Sequence, residues 1–163
     1  MPSAIVVSCS KLLAKMGLTI VFVESATAGR LCSEFALTAE SGKILKGGLV
    51  CYDACLKEDI LKVPEKLIKK YTPESAEVTA ELAKRLKKFI PADIHAAITG
   101  LTTPGGSETP EKPVGTIFIH VLFKDTSLAI AEVYKGTPEE IMLQAIDRVA
   151  LTIISEIEFS GSH

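Results

Sequence analysis

The sequence lacks any apolar run near the roughly 18 residues that a membrane-spanning helix needs. Its first residues, MPSAIVV, also lack the positively charged segment that opens a secretory signal peptide. We therefore expect no membrane partner and predict that the protein stays in the cytoplasm. An excess of either charge is missing as well, because the formal net charge is only -2. Such a chain has no overall electrostatic attraction to nucleic acid or to anionic lipid.

A dense basic stretch, AKRLKKF at 83–89, falls within an amphipathic helical pattern. We interpret it as a solvated helix face, not as a nucleic-acid-binding patch. Histidine is scarce, and the four cysteines form no CxxC pair and lie at no metal-ligand spacing from a histidine. We expect reduced, mostly buried thiols. The cysteines are Cys9, Cys32, Cys51 and Cys55, and the histidines are His95, His120 and His163.

What the sequence does contain is a balanced globular composition, with 47% hydrophobic and 23% charged residues in 163 positions. This length suits one domain, which we place at 1–158. We expect 159–163 to be a terminal tail that frays or derives from cloning.

Apolar periodicity predicts the elements of an α/β fold. The first helix has apolar positions Ile5, Cys9, Leu12, Leu13 and Met16 and stops at Gly17. The apolar β-branched run at 19–23 indicates a central strand covered on both faces. A helix with Ala28, Leu31, Cys32 and Phe35 on its buried side and a strand ending at Tyr52 follow.

The second half of the chain alternates in the same way. We predict a short turn opened by Pro64, then a helix capped by the Thr72 hydroxyl, with a buried stripe of Val78, Leu82, Leu86 and Phe89. A strand at 94–99, a hairpin of 115–123 and 127–134, and a closing helix behind the capping box at 137–140 complete the pattern. These elements predict a three-layer α/β/α sandwich on a mixed sheet.

In such folds ligands bind beyond the carboxyl ends of the strands. The stretch ESATAG places Ser25 and Thr27 beside the start of a helix, where each hydroxyl is either a helix cap or an exposed group near oxyanion donors. The stretch YDACLK places Tyr52 and Lys57 at a second such turn. Lys57 is either a solvated helix residue or a base whose pKa is lowered by desolvation.

The third stretch, TGLTTPGGSETPEKPVG at 99–115, is a long loop with four glycines and three prolines. Gly105 and Gly106 can present successive backbone N–H groups to an anion, although a plain glycine-rich turn would have the same composition. Further polar groups in this loop are the hydroxyls of Thr102, Thr103, Ser107 and Thr109 and the ammonium group of Lys112.

Together, ESATAG, KGGLVCYDACLKEDIL and TGLTTPGGSETPEKPVGTIFIHV resemble the C-terminal domain of the competence/damage-inducible protein CinA, over roughly 12–157. Members of that family are known as nicotinamide-nucleotide amidases, which hydrolyse the carboxamide of nicotinamide mononucleotide to nicotinic acid mononucleotide and ammonia. The resemblance implies the CinA C-terminal fold, no metal or cofactor, and a homo-oligomer that is a dimer or larger.

Carried over by motif, the resemblance assigns the family's serine, tyrosine and lysine to Ser25, Tyr52 and Lys57. A Ser-Lys mechanism fits these residues, since no histidine lies in the three loops. We expect the oxyanion donors to be backbone N–H groups at Ala26, Thr27 and Ala28. The ribose phosphate is expected at Gly105 and Gly106, with Thr102 and Thr103 shaping the same pocket.

The sequence also departs from the family pattern. Ala26 and Ala28 stand where many members have a cysteine and a glycine, and Thr102 and Thr103 stand where Ala-Gly is common. In YKGTPEEIMLQA, Pro138 and Met142 occupy two positions that usually hold arginine, a bidentate binder of phosphate. Three functions remain open: the nicotinamide mononucleotide amidase, a nucleotide-binding paralogue without turnover, and a hydrolase for another carboxamide.

Overall fold

The computed structural model describes residues 1–161 and contains one five-stranded sheet with the strand order β2-β1-β3-β4-β5. The strands are β1 (Ile20–Glu24), β2 (Leu45–Val50), β3 (Ile94–Gly100), β4 (Thr116–Phe123) and β5 (Thr126–Val133). β1 pairs in parallel with β2 and with β3, whereas β4 is antiparallel to both β3 and β5. The sheet is therefore mixed, as the alternation of elements predicted.

Helices cover both faces of the sheet, which makes the three-layer α/β/α sandwich that the sequence predicts. The helices are α1 (Ala4–Met16), α2 (Arg30–Ala36), α3 (Ser41–Ile44), α4 (Ala54–Asp59), α5 (Glu65–Tyr71), α6 (Ala76–Phe89) and α7 (Pro138–Gly161). One core packs α1, α2 and α7 against one face through residues such as Phe22, Ile98 and Ile153. The other core includes Val21, Val23 and Leu82 and lies under α6 on the opposite face. Alternate residues of β1 thus enter different cores, which explains why its first four residues, 20–23, are all apolar.

Local signals set several element ends as predicted. Gly17 adopts φ 67°, and its N–H bonds to the last carbonyls of α1. At the start of α7, the Thr137 N–H donates to the Glu140 carboxylate and the Glu140 N–H donates to the Thr137 hydroxyl. This reciprocal pair is the predicted capping box. The predicted hairpin is also confirmed, with Lys124 and Asp125 in its turn.

The cap predicted for α6 was wrong. Ser75, not Thr72, is the N-cap, and the Ser75 hydroxyl accepts a hydrogen bond from the Val78 N–H. Thr72 instead ends α5 with a positive φ of 71°. The motif TPES offers two hydroxyls, and only the second has the extended backbone that an N-cap needs.

Some predicted buried positions are on the surface. Phe89 is the last residue of α6 and is 57% exposed, and Met16 is the last residue of α1 and is 52% exposed. Cys55 is also exposed, contrary to the expectation of mostly buried thiols, and Cys32 is only half-buried. α7 continues to Gly161, past the boundary expected at residue 158, while Ser162 and His163 lie outside the described residues.

Within residues 1–161, no helix is long and apolar enough to span a membrane. The same residues contain no cluster of three or more His, Cys, Asp or Glu side chains suited to a metal ion.

Candidate functional site

A cavity of about 240 Å³ opens at the carboxyl ends of β1 and β3. These strands run parallel, with Glu24 level with Ile98, so the loops that follow them emerge side by side. The cavity is lined by Ser25, Ala26, Tyr52, Glu74 and residues 100–106. The structure therefore brings together residues from all three loops that the sequence singled out.

Ser25 lies at the base of this cavity. Its backbone N–H donates to the Ile98 carbonyl oxygen at 3.0 Å, which extends the β1–β3 pairing by one residue. Its hydroxyl points to the same oxygen at a long 3.5 Å, so Oγ is only weakly held. Ser25 is not the cap of α2, because that helix begins at Arg30 and Gly29 is its N-cap. The Ser25 hydroxyl therefore does not cap the N-terminus of α2.

Glu24, the residue before the serine, holds the loop in place from within. Its side chain is 1% exposed, and its Oε1 accepts hydrogen bonds from the Thr27 hydroxyl at 2.5 Å and the Leu31 N–H at 2.9 Å. The Gly29 N–H also donates to Oε1, and the Cys32 N–H donates to Oε2. This carboxylate therefore caps the first turn of α2 and fixes the path of the loop that carries Ser25.

This arrangement limits the predicted oxyanion donors. The Ala28 N–H donates to the Ser25 carbonyl in a turn, so it is not free to bind an oxyanion in this structure. Neither Thr27 nor Ala28 lines the cavity, whereas Ala26 does. Ala28 has φ 49°, a left-handed conformation that glycine adopts more readily than alanine. Many members of the family that the sequence resembles have a glycine at this position, and glycine adopts a positive φ without a steric cost.

Lys57 is buried, which rejects the alternative that it is a solvated helix residue. It is 1% exposed on α4, and its Nζ donates to the Cys51 carbonyl oxygen at 2.8 Å. Burial lowers the pKa of the Lys57 ammonium group, with opposing contributions from Glu74, Cys51 and Asp53. Lys57 is therefore close to Glu74, a residue of the cavity wall, although Lys57 itself is not part of the lining.

Ser25 and Lys57 are bonded to different partners. The Ser25 hydroxyl is directed to Ile98, and the Lys57 ammonium group is directed to Cys51. Tyr52 lies at the rim of the cavity and is 62% exposed, so its phenol faces solvent and the opening together.

The glycine-rich loop forms the opposite wall. Thr102, Thr103, Gly105 and Gly106 all line the cavity, as the sequence predicted. The Gly105 N–H already has an anionic partner, because it donates to the Glu108 carboxylate at 2.7 Å. Hydrogen bonds from backbone N–H groups of Gly105, Glu108 and Gly106 lower the pKa of the Glu108 carboxyl group.

Lys112 anchors the far end of this loop. Its Nζ donates to the Thr72 hydroxyl at 2.6 Å, the Ser107 hydroxyl at 2.8 Å and the Glu74 carbonyl at 2.9 Å. The Ser107 hydroxyl in turn donates to the Glu74 carboxylate at 2.5 Å. This network joins the loop to the segment before α6. The ammonium group of Lys112 is occupied by these hydrogen bonds and is not free to bind a ligand.

The two positions that usually hold arginine in the family lie in the first turns of α7. Pro138 is exposed and Met142 is half-buried, and neither lines the cavity.

Sequence reasoning missed three acids of the site: Glu24, Glu74 and Glu108. Of these three acids, only Glu24 was predictable from the sequence. It directly follows an apolar run that predicts a buried strand, and a carboxylate in that position has to be buried and hydrogen-bonded.

Comparison with known proteins gives a consistent picture. A family model described as the CinA C-terminal domain matches residues 3–157. A CinA-like protein of Prochlorococcus marinus is 34% identical over 149 residues, which are 88% of this chain and 35% of that protein. A CinA-like protein of Thermotoga maritima is 41% identical over 103 residues, which are 63% of this chain and 25% of that protein. The chain thus spans about a third or less of the length of the curated relatives it matches.

A solved structure has the same fold over nearly its whole length. It is a competence-damaged protein (CinA) superfamily protein from Klebsiella pneumoniae, with a TM-score of 0.89 and 21% sequence identity. The match covers 95% of this chain and 96% of that one.

Proposed function

The chain belongs to the CinA C-terminal domain family, and from that premise we propose that it is a nicotinamide-nucleotide amidase. The reaction is hydrolysis of the carboxamide of nicotinamide mononucleotide to nicotinic acid mononucleotide and ammonia, without a metal or cofactor. The observation that carries the proposal is the convergence of Ser25, Tyr52 and the glycine-rich loop on one cavity, with a buried lysine behind it.

Ser25 is the nucleophile in this proposal. Its weakly held Oγ attacks the carboxamide carbon, and the resulting tetrahedral oxyanion requires donors such as backbone N–H groups at the cavity base. The C–N bond then breaks, ammonia leaves with the proton taken from Ser25, and a serine ester remains. Water hydrolyses the ester to the carboxylate and restores the hydroxyl.

Lys57 is the proton carrier. A lysine accepts the serine proton only when it is neutral, and burial of Lys57 lowers its pKa in the required direction. Its Nζ has to turn away from the Cys51 carbonyl, or to act through a bridging water, to reach Ser25. Tyr52 at the rim assists by donating to the bound substrate or to the leaving nitrogen.

A second function is favoured by one specific feature, the absence of the two family arginines. With Pro138 and Met142 in their place, a paralogue that binds the nucleotide without turning it over would keep the fold and the cavity. Loss of a bidentate arginine weakens phosphate binding or transition-state stabilisation.

The test is ammonia release from nicotinamide mononucleotide by the purified wild type, Ser25→Ala and Lys57→Ala, with Ser33→Ala of α2 as a matched serine control. The amidase proposal expects turnover in the wild type and the control and none in the two site variants. Binding of the nucleotide by a wild type that releases no ammonia would refute the amidase and favour the non-catalytic paralogue.

We also propose that the chain acts in the cytoplasm as a dimer or larger homo-oligomer. β5 is an edge strand whose outward side chains include Ala129, Ala131 and the half-exposed Val133. Such an edge is suited to pairing with another chain. Sedimentation at the 17.4 kDa of a single chain would contradict this proposal.

A further inference from the structure

Glu108 fills the position that an anionic ligand would take at the glycine-rich loop. Its Oε2 accepts the Gly105 N–H at 2.7 Å, and its Oε1 lies 3.9 Å from where a Cβ of Gly106 would be. We propose that Glu108 is a specificity-determining residue that competes with a substrate phosphate for these N–H groups. The proposal rests on the proposed function for the identity of the substrate, but not for the competition itself.

The backbone of this turn is built to receive an anion. Gly105 has φ 97°, a backbone conformation that favours glycine, and no atom lies within 4 Å of the place where its side chain would begin. The Gly105 N–H donates to the Glu108 carboxylate, and the backbone N–H groups of Gly105, Glu108 and Gly106 lower the pKa of that carboxyl group. A phosphate oxygen is the same kind of acceptor as this carboxylate.

The side chains within residues 1–161 that line the rest of the cavity provide no positive charge to bind a phosphate. Among the described residues that line it, the one charged side chain is the acid Glu74. The nearby cation, Lys112, is already bonded to Thr72, Ser107 and the Glu74 carbonyl. This wall therefore offers a phosphate the Gly105 N–H beside the hydroxyls of Thr102 and Thr103, and Glu108 occupies that N–H.

Competition for one set of donors has a defined consequence. A phosphorylated ligand binds only the fraction of molecules in which Glu108 has left the N–H groups, so its apparent dissociation constant rises by the inverse of that fraction. Glu108 is not buried, so it can swing into solvent without disturbing the core. A ligand without a phosphate does not need this displacement and is unaffected.

The direct test is calorimetric titration of the full chain with inorganic phosphate. Glu108→Gln removes the charge and Glu108→Ala removes the side chain, while Glu111→Gln neutralises an exposed carboxylate on the same loop as the matched control. We expect both Glu108 variants to bind phosphate about tenfold more tightly than the wild type, the low end of what one charge-assisted hydrogen bond is worth. The control should bind like the wild type.

The same variants separate this inference from the amidase proposal. If the amidase proposal holds, the Glu108 variants should show a lower KM for nicotinamide mononucleotide and an unchanged KM for its dephosphorylated nucleoside. Phosphate binding that is equal in all four proteins, or absent from all of them, would overturn the role of Glu108. Tighter phosphate binding without ammonia release would refute the amidase and leave the competition standing.

Discussion

Replacing Glu24 with glutamine tests whether the buried carboxylate holds the serine loop. The side chain is almost completely buried, and its four hydrogen-bond donors are neutral groups of the loop and of α2. Glutamine has nearly the same shape, so packing is preserved. What changes is that one of the two acceptor oxygens becomes an amide group that can only donate.

The magnitude follows from how the bonds divide between the two oxygens. Oε1 accepts from the Thr27 hydroxyl and the N–H groups of Gly29 and Leu31, whereas Oε2 accepts from Cys32 alone. If the glutamine oxygen replaces Oε1, three bonds persist in weaker, neutral form and the Cys32 N–H faces an amide nitrogen. An unpaired donor of this kind costs about 1–3 kcal/mol, so we expect the free energy of unfolding to fall by about 2 kcal/mol.

The assay is equilibrium unfolding in urea. For a domain of this size, a loss of about 2 kcal/mol lowers the midpoint by roughly 1 M. Thr27→Val is the matched control, because it removes one hydroxyl donor and leaves the three N–H bonds to Glu24, for an expected loss of about 1 kcal/mol. A Glu24→Gln midpoint that coincides with that of the wild type would show that the carboxylate does not hold the loop.

Two further predictions concern Lys57 and Gly100. Burial lowers the pKa of Lys57, and in the proposed mechanism the neutral amine is the active form, so that proposal expects kcat/KM for ammonia release to rise as the pH rises through the lowered value. Lys57→Arg keeps the charge at every accessible pH, so a rising profile in this variant would exclude Lys57 as the base. Gly100 has φ 156°, and an added Cβ would lie 2.5 Å from the Thr116 carbonyl oxygen. Gly100→Ala should therefore lower stability in thermal denaturation by about 2 kcal/mol, and a melting temperature equal to that of Gly42→Ala, a replacement in open space, would contradict this reasoning.

Much of the fold could be predicted because it depends on short-range signals. The stop at Gly17, the capping box at 137–140 and the hairpin turn all involve residues within a few positions of one another. The period of the apolar residues then identified the strands and most of the buried stripe of α6. Where two local signals compete, as Thr72 and Ser75 do before α6, the sequence alone did not decide between them.

The sequence predicted part of the candidate site, but it missed the three acids and placed Thr27 and Ala28 in a cavity that they do not line. The sequence placed Ser25, Tyr52 and the glycine-rich loop at the ends of strands, and the parallel pairing of β1 with both β2 and β3 brings them to one cavity. Only the structure rejects the alternative that Lys57 is a solvated helix residue, because the burial of its side chain depends on the tertiary packing around α4.

The sequence by itself therefore determined the elements, their apolar faces and the residue types at the strand ends, since these follow from neighbours along the chain. The tertiary structure decided which polar groups remain free. Glu24 takes up the N–H groups around α2, Lys112 is bound to the loop and the segment before α6, and Glu108 fills the nest at Gly105. The Glu24 and Glu108 bonds depend on the three-dimensional course of their loops, and Lys112 joins residues that are far apart in sequence. The sequence indicates that Glu24 is buried and hydrogen-bonded, but no periodicity or spacing could predict the partners of these three residues.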